Sequence, residues 1–152
     1  MQIHLNLDSD SIHTLSLAAA YQSTTIQNLI KSTPNPDGLG LSPISEEINI
    51  KVPSQFNTII PIFVEYLKRH EADAAFNENE YNPPLLTYSS VISDLYGDAD
   101  ANFIEDLTDE QLQQLTTCAD YFDVPRLYLL CLDELGARIL DDRLDMQSFF
   151  IY

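Results

Sequence analysis

Two groups of side chains have residue types that could bind a metal ion. The acidic run over residues 98–102 (Asp-Ala-Asp-Ala-Asn) begins like a calcium-binding loop. However, Phe103 stands where the sharp turn of such a loop requires glycine, and Asp109 stands where a bidentate glutamate is usual. His4 and His13 could face each other across a β-hairpin as zinc ligands, but the sequence offers no third ligand beside them. These patterns favour a solvated acidic run and ordinary strand histidines, so no metal site is predicted.

Cys118 is the one candidate nucleophile, with the distant His70 as its base. Cys118 and Cys131 lie in apolar helical stretches, without a CxxC pair or histidines at zinc spacing. A cysteine on an apolar helix face is normally a buried, unreactive thiol. With only four glycines, none of the glycine-rich nucleotide-binding patterns can be assembled. We therefore predict a protein that is not an enzyme, with no catalytic residue and no cofactor.

The charge balance limits the classes of partner. The 152 residues include 24 acidic and 7 basic side chains, for a formal net charge of −17. Nucleic-acid binding requires many lysines and arginines, so nucleic acid is excluded as a partner, and anionic membrane surfaces are disfavoured for the same reason. We find neither a signal-peptide pattern nor a stretch approaching the ~18–20 apolar residues of a membrane span. The sequence thus predicts a cytoplasmic or nuclear protein with reduced cysteines.

The elements that position these side chains follow from the hydrophobic pattern. Apolar and polar residues alternate over 3–7 and 12–17, on either side of the turn-forming residues 8–11, which predicts a β-hairpin. Residues 18–30 read as one or two short helices. Alternation returns over residues 48–52 and predicts a third strand. The first third of the chain therefore forms a small three-stranded sheet with helices.

The middle of the chain is predicted to contain one helix and one long loop. Apolar residues recur at helical spacing up to His70, and Thr58 is a suitable N-cap. Pro61 then falls in the first turn, where its missing N–H would have no intrahelical acceptor. Residues 71 to about 101 are rich in Asn, Asp, Glu and Ser, and are predicted to form a long acidic surface loop.

Two helix starts carry capping signals. Ser23 or Thr24 can cap a helix, and Gln27 stands where it would complete a capping box with Thr24. The sequence Thr-Asp-Glu-Gln over residues 108–111 has the same form. Apolar residues at 112, 115, 119 and 122 then trace one face of a helix.

The last part of the chain is strongly apolar. Asp123 is predicted to cap a helix whose first turn holds Pro125. Residues 127–132 are apolar on every side, which predicts that the helix over residues 127–139 is central and buried all round. A final amphipathic fragment follows at residues 144–151 and must pack on its own domain or on a partner.

Three blocks of the sequence, at residues 3–26, 48–70 and about 107–139, together resemble one protein family. The matching positions are Ile3, Leu5, Ile12, Ala20, Gln22, Ser23, Thr25 and Ile26 in the first block and Leu112, Leu115, Ala119, Tyr121, Asp123, Leu127 and Ile139 in the third. The chain resembles the S-phase kinase-associated protein one family, which are adaptors that link F-box proteins to a cullin in ubiquitin ligases. Elongin C is a shorter relative of this family.

The resemblance implies an α+β chain with a BTB/POZ fold, in which a small three-stranded sheet packs against a cluster of helices. Residues 1–132 would form the BTB/POZ-like domain, including the acidic loop at about 71–101. Residues 133–152 would form a shortened C-terminal extension of one or two helices. The final helix of the family and its closing tryptophan have no counterpart, and the sequence has no tryptophan at all.

The resemblance also implies two binding sites. Asp120 and Tyr121 match an Asn-Tyr pair that contacts the cullin N-terminal domain, so the carboxylate of Asp120 replaces a neutral amide and cannot donate a hydrogen bond when ionised. Tyr121 could instead simply cover the end of its helix. The residues matching the surface for an F-box or similar helical receptor are Leu127, Leu130, Ile139, Met146, Phe149 and Phe150.

The function implied is that of a noncatalytic adaptor bridging a cullin and an F-box-type receptor in ubiquitin-dependent protein degradation. Three alternatives remain open from the sequence. One is a BTB/POZ module that self-associates as a homo-oligomer. Another is a chain closer to elongin C, with a different helical partner. The third is a truncated mimic that binds cullin without recruiting substrate.

Overall fold

The computed structural model describes residues 2–8, 10–32, 47–83 and 91–140. In chain order they form strands β1 (Gln2–Asn6) and β2 (Ile12–Ser16), helices α1 (Leu17–Ala20) and α2 (Thr24–Ser32), strand β3 (Glu47–Lys51), a 3-10 turn (Ser54–Phe56), and helices α3 (Ile60–Arg69), α4 (Ile92–Tyr96), α5 (Asp98–Glu105), α6 (Asp109–Tyr121) and α7 (Pro125–Leu140). The predicted α+β class and the three-stranded sheet are confirmed, and the arrangement is consistent with a BTB/POZ fold.

The sheet has the strand order β2-β1-β3, with β1 antiparallel to β2 and parallel to β3. The central position Ile3 pairs with Leu15 on one side and with Ile48 on the other. All three side chains are buried, because residues paired across strands point to the same face. The predicted hairpin and the third strand are thus confirmed, and they place one apolar face of the sheet towards the helices.

The helices cover this face around an aromatic centre. Helix α3 packs against β2, α1 and α6, and helix α7 packs against α4, α5 and α6. Phe63 of α3 stacks on Phe122, which follows α6, with 5.1 Å between the ring centroids. The apolar face predicted for α6 is confirmed, since Leu112, Leu115 and Ala119 are all fully buried.

The capping predictions had mixed outcomes. Thr108 and Gln111 form the predicted reciprocal capping box of α6, and Pro61 lies in the first turn of α3 as expected. The N-cap of α3 is Ile59 rather than Thr58, so that helix begins without a side-chain cap. Asp123 does not cap α7 either. It precedes the cap position by one residue and adopts a left-handed backbone with a φ of 51°.

The prediction that residues 71–101 form one continuous loop is wrong. Within the described part of this interval, α4 and the first turn of α5 are helical. Ile92 and Ala101 are buried and attach these helices to the core. Asp98 and Asp100 lie in the first turn of α5, where carboxylates stabilise the positive end of the helix dipole. Their acidity therefore marks a helix start, which the composition alone did not distinguish from a loop.

Helix α7 is central, as predicted, but it is not buried all round. Leu127 and Leu130 are fully enclosed, whereas Leu132 is 38% exposed and Leu140 is 65% exposed. Four other apolar or aromatic residues of the helix are only partly buried, namely Tyr128, Leu129, Leu135 and Ile139. Among the described residues, helices α4, α5 and α6 cover one side of α7 and leave its other side accessible.

Candidate interaction surface

The first and the third of the resembling sequence blocks are hydrogen-bonded to each other at residues 23–24 and 122–123. The Ser23 hydroxyl donates a hydrogen bond to the Phe122 carbonyl and accepts one from the backbone N–H of Ile26. The backbone N–H of Thr24 donates to the Asp123 carbonyl at 2.8 Å. The cap of α2 is therefore Ser23, and its hydroxyl together with the N–H of Thr24 fixes the start of α2 against the corner between α6 and α7.

Gln27 forms long-range contacts instead of the predicted capping box with Thr24. Its amide nitrogen donates to the carbonyls of Tyr21 and Phe76. Gln22 acts similarly, because its amide nitrogen donates to the Ala74 carbonyl at 3.0 Å while its oxygen accepts from Arg126. Both glutamines are buried. Their hydrogen bonds connect the corner between α1 and α2 with the chain after α3.

The α6–α7 corner presents Tyr121 on a rigid aromatic base. The ring of Tyr121 lies 5.2 Å from that of Phe56 and 4.9 Å from that of Phe122, which it meets edge-on. Phe56 and Phe122 are buried, yet Tyr121 remains 49% exposed. An aromatic ring held in this way loses little conformational entropy on binding, which is a property of interface anchors.

Tyr121 continues an exposed face of α6. A shallow groove lies between the 3-10 turn and α6, lined by Gln55, Phe56, Glu110, Gln113, Gln114 and Thr117. We call these six residues, together with Asp120 and Tyr121, the α6 face. Asp120 is exposed at the C-terminal end of α6. The sequence prediction named only Asp120 and Tyr121, because the groove depends on Phe56, which belongs to a distant segment.

The residues predicted for F-box binding lie in different environments. Leu127 and Leu130 are fully buried in the core of the chain, and Ile139 is partly buried. Met146, Phe149 and Phe150 lie outside the described residues. The F-box assignment stays a prediction. Leu127 and Leu130 can support α7 from inside, whereas Leu132 and Leu140 are the apolar side chains of α7 that are exposed.

His4 and His13 do not face each other. In the β1–β2 pairing, His4 is opposite Thr14 and His13 is opposite Leu5, which places the two histidines on opposite faces of the sheet. His4 hydrogen-bonds to the Thr14 hydroxyl at 3.0 Å. Among the described residues, no cluster of three or more potential metal ligands occurs.

The two thiols are enclosed in the core. Cys118 and Cys131 are fully buried, and burial raises the pKa of Cys118 well above its usual value and that of Cys131 to about 12. Both thiols are therefore protonated at neutral pH, a state that is poorly nucleophilic. His70, the base considered for Cys118, has each ring nitrogen within hydrogen-bond distance of a carboxylate.

His70 links the end of α3 to the start of α5. Its Nδ1 lies 2.5 Å from an Asp73 carboxylate oxygen, and its Nε2 lies 2.9 Å from Asp100. The hydrogen bond to Asp100 raises the pKa of His70 above 6.5, Asp73 adds to this effect, and partial burial opposes it. Only the protonated imidazole can donate to both carboxylates at once.

This linkage makes stability depend on pH. Because the folded-state pKa is raised, the contribution of His70 is fully present below about pH 6.5 and is lost as the pH rises through the folded-state value. We expect the wild type to lose more unfolding free energy than His70→Gln between about pH 6 and pH 8, measured by urea denaturation. Parallel pH curves for wild type and His70→Gln would contradict the linkage.

A buried arginine was not predicted from the sequence. Arg138 of α7 is 5% exposed and lies beside Glu134, which is 1% exposed. The sequence gave no sign that this pair is buried, since an Arg four residues after a Glu is usually an exposed helix pair.

Within the described residues, none of the helices is long and apolar enough to cross a membrane.

The chain resembles a known protein over most of its length. No protein-family model matches the chain. The chain is similar to a curated protein of Tetrahymena thermophila described as an S-phase kinase-associated protein 1 homolog, with 29% identity over 123 residues. The match spans 81% of this chain but only 64% of the relative, less than two thirds of the relative's length. The family resemblance drawn from the three sequence blocks is supported by this comparison.

Proposed function

We propose that this chain is a noncatalytic adaptor of a cullin ubiquitin ligase, bridging a cullin N-terminal domain and an F-box-type receptor in ubiquitin-dependent protein degradation. The observation that carries the proposal is the exposed ring of Tyr121, held by Phe56 and Phe122. Tyr121 occupies the position at which the resembled family contacts cullin. The similarity to the Tetrahymena protein over 81% of the chain supports the same assignment. Such an adaptor acts in the cytoplasm or the nucleus.

The two proposed sites use separate surfaces. The α6 face would meet cullin, and the accessible side of α7 would meet the helical receptor. On α7, Leu132 and Leu140 expose apolar area that a partner could bury, while Ile139 is partly buried. A calorimetric titration with an F-box segment, in the presence and absence of the cullin domain, tests whether both partners bind together. Mutually exclusive binding would contradict the bridging role.

The cullin contact is tested through Tyr121. We expect a cullin N-terminal domain to bind the wild type with micromolar or tighter affinity. Tyr121→Ala should weaken this by about 1–2 kcal/mol, or roughly 5–30-fold, since an anchoring aromatic side chain is lost. Tyr121→Phe keeps the ring and is the matched variant, so its affinity should remain near that of the wild type if ring packing dominates.

Two outcomes distinguish a wrong assignment of Tyr121 from a wrong proposal for the function of the protein. Equal affinities of wild type and a folded Tyr121→Ala would remove Tyr121 from the site. No binding by a wild-type sample whose circular dichroism shows the folded state would remove the cullin adaptor function itself.

Self-association has one observation in its favour. Ile12 is 60% exposed on β2, which is an edge strand of the sheet. An exposed apolar residue on a sheet edge can support pairing with a second copy. Light scattering distinguishes the two functions, because a free adaptor gives the monomer mass of 17.2 kDa, whereas a self-associating module gives a dimer mass over a wide concentration range.

A further inference from the structure

The C-terminal end of α6 is negatively charged without a compensating cation on that helix. Asp120 lies in its last turn and Asp123 follows it, and both are exposed. The last turn contains no basic residue, although the free carbonyls of a helix C-terminus normally favour one. An acidic side chain at this position is unfavourable in the isolated chain, and a cation from outside would relieve that cost.

The neighbouring ring adds a second attraction for a cation. The face of a tyrosine ring attracts Lys and Arg side chains through its quadrupole. Tyr121 is 49% exposed and is held in place by its contacts with Phe56 and Phe122. Asp120 and Tyr121 both lie in the last turn of α6, so a partner segment that binds this helix end can present a cation to the carboxylate or to the ring.

The rest of the α6 face carries no positive charge. Glu110 lies ten residues before Asp120, about 15 Å along the helix axis at 1.5 Å per residue. The groove residues between them are the neutral side chains Gln113, Gln114 and Thr117. The basic residues of the described chain lie on other elements: Lys31, Lys51, Lys68, Arg69, Arg126 and Arg138. The α6 face thus offers acceptors and carboxylates without a cation of its own.

We propose that the protein segment bound by the α6 face presents a Lys or Arg to Asp120 and Tyr121, and that Asp120 determines the choice of partner. This specificity rests on the proposed cullin-binding function. An ionised carboxylate only accepts hydrogen bonds, whereas the amide of the resembled family also donates. A partner built for the amide would leave Asp120 unmatched, and a partner with a cation would gain a charge-assisted bond.

The test is titration of the same cullin N-terminal domain with Asp120→Asn at low and high salt. We expect Asp120→Asn to weaken binding by about 3–10-fold at low salt and to show a shallower salt dependence than the wild type, because one screened charge pair is lost. Asp120→Lys should weaken binding further by repulsion. Glu78→Gln removes one exposed charge outside the α6 face and should leave the affinity unchanged.

Three results would overturn the cation site. Equal or tighter binding by Asp120→Asn would show that an amide serves the contact, while the cullin-binding function would stand. An equal loss in Glu78→Gln would assign the effect to net charge instead of position. Absence of binding by the folded wild type and by both Asp120 variants would remove the cullin-binding function, and the cation site with it.

Discussion

We expect Arg138→Ala to lower the free energy of unfolding by about 3–5 kcal/mol, the usual cost of breaking a buried ion pair from one side. The Nε of Arg138 donates to Glu134 at 2.9 Å, and one terminal nitrogen donates to Asp109 at 2.7 Å. The other terminal nitrogen donates to the carbonyls of Ile104 and Leu107. The substitution would leave the carboxylate of Glu134 buried without this partner and would expose the end of α5 to fraying.

The size of this loss should depend on burial, and the chain contains a matched control. Arg69 pairs with Glu65 at 3.0 Å with the same spacing of four residues, but both side chains are exposed. Arg69→Ala should cost less than about 1 kcal/mol, including its contact with the Phe103 ring. Urea denaturation followed by circular dichroism measures both variants. Similar losses in the two would contradict a structural role for the buried pair.

Arg138→Lys tests the same prediction if the alanine variant does not fold. Lysine retains the charge but lacks the planar fork that reaches several acceptors at once. We expect its unfolding free energy to lie between those of the wild type and Arg138→Ala. A value equal to the wild type would show that the carbonyl contacts at the end of α5 contribute nothing measurable.

We expect Ser23→Ala to destabilise the fold by about 2–3 kcal/mol, the sum of a lost helix cap and an unsatisfied buried carbonyl. The Ser23 side chain is fully buried, so water cannot replace its bond to the Phe122 carbonyl. The same hydroxyl caps α2 through the N–H of Ile26. Since Phe122 adjoins Tyr121, this loss should also loosen the α6 face.

A second capping serine, which is exposed, serves as the control. Ser16 caps α1 through the N–H of Ala19, and its hydroxyl donates to Glu71, but this residue is exposed. Ser16→Ala should therefore cost only about 1 kcal/mol or less. Ser23→Thr, which retains the hydroxyl, should recover part of the loss. If thermal denaturation shows equally small losses of stability in Ser23→Ala and Ser16→Ala, the hydrogen bond to the Phe122 carbonyl contributes nothing measurable to stability.

Several elements of this protein were predictable because their signals are local. Alternation over the first residues specified β1 and β2, since a strand repeats its side-chain direction every second residue. The Thr108–Gln111 capping box predicted the start of α6, and that prediction is confirmed. Tyr121 was placed at the surface by resemblance to a family, and its exposure agrees with that placement.

The remaining features depend on residues far apart in the sequence. The strand register, not the spacing, separates His4 from His13, and burial of Ile92 and Ala101 converts part of an acidic stretch into helices. The α6 face is completed by Phe56, which the chain brings to Tyr121 from 65 positions away.

The sequence by itself determined the strands, the helix periods and the acidic charge, because these follow from neighbouring residues. Only the tertiary structure decided which polar side chains are buried. Arg138 could be identified as a core residue only once Asp109 and the carbonyls of Ile104 and Leu107 were placed around it. A buried charge is stable only where such partners converge, and that convergence is a property of the packed chain.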